Sequence, residues 1–135
     1  MDPLSITVSI TALLQVTKSI ISFILDFHDA PVDGMKFAME VSDLKTLLPI
    51  LQARVEEANP EDPWFAAVLA LGDGPLDQLT SHLDQLALKL KPAKGLKGFM
   101  SRVTWVLTKA EVTDILFRIE RTKSLVTLAL TRDHL

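Results

Sequence analysis

Hydrophobic positions in this chain recur at steps of three and four residues, the period of an α-helix, over most of its length. Leu4, Val8, Ala12, Val16, Ile20, Phe23 and Phe27 form one stripe of a helix over residues 4–27. Ile6, Ile10, Leu13, Ile21, Ile24 and Leu25 form a second, and only Thr11, Gln15, Lys18, Ser22 and Asp26 make a thin polar line. A helix this apolar around its circumference is central in a bundle or meant for lipid. Ser5 to Thr11 also alternates like a strand, but the long helical continuation decides for helix. The run Ala30-Pro31-Val32-Asp33-Gly34 then breaks the chain, and Asp33 is placed to cap the next helix.

Phe37, Val41, Leu44, Leu48, Leu51 and Val55 share one face of that second helix. Pro49 inside it predicts a kink or short break near residues 45–49. A second break at Asn59-Pro60-Glu61-Asp62-Pro63 supplies Asp62 as cap and Pro63 as first residue of a short helix to Leu71, ended by Gly72. Asp73-Gly74-Pro75 repeats the start signal. Leu76, Leu79, Leu83, Leu86 and Leu90 follow until Pro92. Residues 92–105 read as a connector with a short helical turn near 96–103. Thr108 and Glu111 form a capping box for a last helix with Val112, Leu116, Ile119, Val126 and Leu130 inside, joined by Ile115 and Leu125. Asp114 and Arg118 make a supporting pair outside. The sum is an all-α, up-and-down bundle of about four to five helices with a long apolar N-terminal helix.

Composition sharpens this picture. The 135 residues suit one domain, and with no Cys there is neither disulfide nor thiolate metal site, as in a reducing compartment. The net charge of -3 conceals segregation. Residues 26–84 carry twelve acids and three bases, whereas residues 85–110 carry six bases and no acid. Such a division suits an anionic partner. The N-terminus lacks the basic start and small-residue cleavage site of a secretory signal, so residues 4–27 belong to the mature fold.

Candidate chemistry is sparse. His28, His82 and His134 fall in no metal-ligand spacing and read as partly exposed surface. No phosphate-binding loop, dinucleotide fingerprint or nucleophile elbow is present, and the acids lie where helix starts and solvated faces want them. The reading is a non-enzyme with no cofactor, no metal, no nucleic-acid partner and no small-molecule substrate. Binding features remain. At ~1.5 Å per residue the first helix is long enough for a ~30 Å hydrocarbon layer, although Lys18 near its middle is costly there unless paired. The connector places Lys89, Lys91, Lys94, Lys97 and Arg102 among Leu96, Phe99, Met100 and Trp105, a mixture suited to anionic lipid headgroups. The same pattern serves a solvated loop whose aromatics tuck inward. The leucine stripe of residues 76–90 serves a core, or a partner helix.

Met1-Asp2-Pro3-Leu4-Ser5 followed by an Ile/Ala/Leu-rich helix, Ala30-Pro31 after it, and Trp105–Val112 with Arg118–Ser124 and Leu128-Ala129-Leu130 resemble the fungal HeLo-like N-terminal domains in order and spacing. The resemblance spans essentially the whole chain. It implies a helical bundle at the front of a fungal NOD-like (STAND) receptor, related to the HeLo and HELL domains of heterokaryon incompatibility, innate immunity and programmed cell death. It implies a cytoplasmic module that homo-oligomerises with downstream domains of the same chain and relocates to the plasma membrane on activation. The membrane-targeting role would fall on Leu4, Ile6, Val8, Ile10, Leu13, Leu14, Ile20, Ile21, Phe23, Ile24, Leu25 and Phe27. Lys89, Lys91, Lys94, Lys97, Phe99, Arg102 and Trp105 would form the anionic-lipid patch. The glycine-spaced motif of the cell-death relatives has no counterpart: the first glycine is Gly34, and Ser5, Ser9 and Ala12 supply the small residues. A dimerisation or adaptor module without membrane activity is the competing expectation. The chain also closes at Leu135 without a domain-ending signal, as the N-terminal part of a longer protein would.

Overall fold

The computed structural model describes residues 3–25, 31–59, 61–64, 68, 72–90 and 106–132. Among these residues all regular structure is helical, and the long helices are α1 Pro3–Leu25, α2 Val32–Glu57, α3 Asp77–Leu90 and α4 Lys109–Arg132. They form an up-and-down bundle. α1 packs on α2 and α3, and α4 packs mainly on α2 and more thinly on α3.

Each helix buries a stripe whose steps alternate three and four. In α1 it is Ile6, Ile10, Leu13, Thr17, Ile20 and Ile24, with Val16 beside it. In α2 it is Phe37, Val41, Leu44, Leu48, Leu51 and Val55, and the α3 stripe runs Leu76, Leu79, Leu83, Leu86 and Leu90. Val112, Ile115, Ile119, Thr122, Val126 and Ala129 complete the core from α4. A repeat averaging 3.5 residues keeps one seam facing its neighbours, the packing of left-handed bundles. This rule corrects two expectations. The α1 stripe that advances from Leu4 by fours drifts about 40° per step, so the buried face takes residues from both expected stripes. For the same reason Leu116, Leu125 and Leu130 flank the α4 seam while Ile115 and Ala129 occupy it.

Local sequence explains the ends. α2 starts at Val32 with Pro31 as its N-cap residue and no side-chain cap, so Asp33 lies inside the first turn rather than capping it. There its charge meets the positive end of the helix dipole. The first bond is made by Met35 N–H to the Pro31 carbonyl, 3.0 Å. α2 then runs unbroken through Pro49, contrary to the expected interruption. Pro49 and Lys45 are both exposed, so the carbonyl that proline leaves unpaired is open to solvent and the loss is cheap.

Beyond α2, Asn59 Oδ1 accepts from Glu61 N–H at 3.0 Å, and Asp62 Oδ1 accepts from Trp64 N–H at 3.0 Å. Pro63 and Trp64 are helical, in keeping with the expected cap and start. Gly72 and the residues after it do not break the chain. They form a wide π-type turn, Gly72–Leu76, that leads directly into α3. The capping box of α4 is made in both directions: Thr108 N–H donates to Glu111 Oε1 at 2.9 Å, and Glu111 N–H donates to Thr108 Oγ1 at 3.1 Å. Arg118 Nε meets Asp114 Oδ2 at 3.1 Å on the outer face.

Candidate membrane interface

α1 is the one described helix long and apolar enough, by length and composition, to cross a membrane, over Ser5–Leu25. Its 23 residues give ~34 Å, against ~30 Å of hydrocarbon. Only 33% of the spanning window is buried in the bundle. Of the residues expected to target a membrane, Ile6, Ile10, Leu13, Ile20 and Ile24 are core. Leu14, Ile21 and Phe23 are half-buried against that core, and Val8 and Leu25 are exposed. The Leu4 side chain and Phe27 lie outside the described residues. The rest of the outer face is Ser5, Thr11, Ala12, Gln15, Lys18, Ser19 and Ser22, small or polar throughout.

Thr17 is fully buried in the α1 seam and satisfies itself: its Oγ1 donates to the Leu14 carbonyl at 2.7 Å. Thr122 does the same in α4, to the Arg118 carbonyl at 2.9 Å. No described buried side-chain polar atom lacks a partner. Lys18 faces solvent, so the bundle need not neutralise it.

An open groove of about 600 Å³ runs between α1 and α3, lined by Ala12, Val16, Ser19, Phe23, Ala87 and Leu88 among others, with Asp84 in its wall. Small side chains on both helices make it. The stripe of Leu76, Leu79, Leu83, Leu86 and Leu90 is not free, since all five are buried in the core, whereas Leu88 of α3 is exposed. Among the described residues no His, Asp and Glu converge in threes as a metal site. His82 is half-exposed, its Nδ1 2.8 Å from the Gln78 carbonyl oxygen.

Of the expected lipid patch, Lys89 is described, whereas Lys91, Lys94, Lys97, Phe99, Arg102 and Trp105 lie outside the described residues. Lys89 is exposed and forms an ion pair with Glu111 at the junction of α3 and α4. The Lys89 ammonium, and then the Thr108 backbone N–H, hold the Glu111 carboxyl below the usual carboxylate range. Glu111 thus serves as cap and as inter-helix partner at once.

Two anchors were not legible in the pattern. Trp64 Nε1 donates to the buried Ala129 carbonyl at 2.6 Å and pins the segment after α2 onto α4. Lys123 Nζ reaches Glu40 Oε2 at 2.7 Å and Asp43 Oδ2 at 3.3 Å, joining α4 to α2. Burial would lower the Lys123 ammonium, but the Glu40 and Asp43 hydrogen bonds outweigh it and raise it above the usual lysine value. The placement of Trp64 directly behind an Asp-Pro helix start was the available signal for the first. The second depends on which faces of α2 and α4 meet, which no local spacing states. No family model, no curated protein and no solved structure matches the chain.

Proposed function

We propose that this chain is a helical signalling and effector module of the HeLo-like kind, which oligomerises and acts on anionic membranes through α1. The observation that carries the reading is a membrane-length apolar helix whose spanning window is only a third buried within the bundle. The run of bases from Lys89 to Lys109 supplies the attraction to anionic lipid.

Energetics constrain how α1 would act. Six of its large apolar side chains sit in the core, each contributing roughly 1.5–3 kcal/mol by burial. Their sum, on the order of 10 kcal/mol, matches the whole stability of a typical domain of roughly 5–15 kcal/mol. α1 therefore does not leave as a free arm. It exchanges the protein core for the lipid core, and the bundle opens as it does so. Clustering several copies at the surface supplies the bias for that exchange.

Dye release from vesicles containing phosphatidylserine, with the chain fused to an inducible oligomerising tag, tests this. Val8→Glu with Ala12→Glu changes only exposed positions of α1, so the fold survives, while each puts a carboxylate into the span, at a cost that approaches about 2.5–3.5 kcal/mol towards the helix centre and is smaller at Val8 near its end. Release by the wild type and its loss in this variant is the expected result. Lys94→Glu, Lys97→Glu and Arg102→Glu together should weaken binding to the vesicles. No release on forced oligomerisation would sink the membrane role. The open α1–α3 groove then favours the second reading, an adaptor that takes a partner helix. A mass that depends on concentration and ignores lipid would support it.

A further inference from the structure

In an up-and-down bundle α1 ends, α2 begins, α3 ends and α4 begins at the same end. That end collects exposed apolar side chains from all four helix ends: Leu25 (72% exposed), Val32 (84%), Met35, Leu88 (76%) and Val106 just before the last helix. None of them is needed by the core, and they come from separate elements, so helix amphipathicity does not account for their meeting. Lys36, Lys89 and Lys109 stand among them, and all three are exposed. The described acids there are Asp33 and Glu111, and Glu111 is engaged with Lys89 and Thr108. Among the described residues the three lysines outnumber the two acids, so this end is net positive. The opposite end carries exposed Glu56, Glu57, Glu61 and Asp62.

We propose that this end of the bundle docks, helices upright, on an anionic lipid surface. The protruding apolar tips enter the interface, the lysines meet headgroup charge, and the acidic far end is repelled, which orients the molecule. A lipid surface fits better than a protein partner. The tips come from four separate helix ends, with Leu88 also edging the α1–α3 groove, and a fluid interface accepts scattered tips without shape complementarity. The inference rests on the reading that the domain meets anionic lipid, but it requires no release of α1.

The chain has no Cys, so single substitutions Met35→Cys, Leu88→Cys, Ile50→Cys and Val8→Cys each give one site for a polarity-sensitive nitrobenzoxadiazole label. Vesicles of phosphatidylcholine with phosphatidylserine are compared with phosphatidylcholine alone. Brightening at Met35 and Leu88, with Ile50 unchanged and dependence on phosphatidylserine, is expected. Val32→Glu with Leu88→Glu, both at exposed positions, should weaken vesicle binding about tenfold, the loss expected for two partly inserted side chains. Equal brightening at all four sites, response at Ile50 or Val8 alone, or no response anywhere would overturn end-on docking. Brightening at Met35 that follows protein concentration without lipid would also overturn it, in favour of a protein partner. The Val8 label and dye release report separately on α1. Tips that insert while Val8 stays in water and no dye escapes would keep the docking and remove the membrane-disrupting role. Dye release with a silent Met35 would do the reverse.

Discussion

Single residues set the uniqueness of this core more than its greasiness. Trp64 is the clearest case, because its indole N–H is spent on a carbonyl 65 positions away. Trp64→Phe should keep most of the packing and lose that bond, costing about 1–2 kcal/mol in denaturant unfolding. A loss below the error of the measurement would mean the bond is replaced. The buried hydroxyls behave differently. Thr17 and Thr122 bond only to carbonyls of their own helices, which already serve the helix ladder. Thr17→Val should therefore be neutral or stabilising by up to about 1 kcal/mol, and a rise or no change in melting temperature would bear that out. Leu13→Ala, at a fully buried position between α1 and its neighbours, should instead cost about 2–5 kcal/mol.

At the scale of elements, helix ends and inter-helix ion pairs give a pH signature. The Glu111 carboxyl is held below its ordinary range in the folded state. A depressed carboxylate stabilises above its unfolded pKa, about 4.3, and the contribution disappears as pH falls through the folded value. Wild type and Glu111→Gln should differ in melting temperature at neutral pH and converge in acid. Lys123 runs the other way. Its raised value means full stabilisation below about 10.4 and loss as pH climbs through the folded value, so Lys123→Met should flatten the alkaline limb. How much of this was readable in advance follows the range of the interaction. The α2 and α3 faces and the Thr108–Glu111 box were legible because their signals lie within four residues. The α1 and α4 seams were blurred because apolar residues also stand beside each seam, Leu14 and Ile21 in α1 and Leu116 and Leu125 in α4, and only packing selects among them. The short break expected at Pro49 is not made, because the cost of a helical proline depends on whether its orphaned carbonyl meets water, which the residue itself does not declare. On the candidate interface, the apolar length of α1 and the run of bases were plain in the chain. The collection of Leu25, Val32, Leu88 and Val106 at one end was not, since it exists only once the topology brings four helix ends together.

For the whole molecule, the uneven seams matter more than the total. α3 is a short helix that packs closely on α1 and thinly on α4, where Lys89 and Glu111 clasp its end. Amide exchange with deuterium should follow that division. The protected amides of α3 should open together with those of α1, and those of α4 together with α2, as two cooperative halves of different free energy. The molecule would then come apart along its α3–α4 cleft, like a book opened from the side opposite its spine, with α1–α2 as the spine.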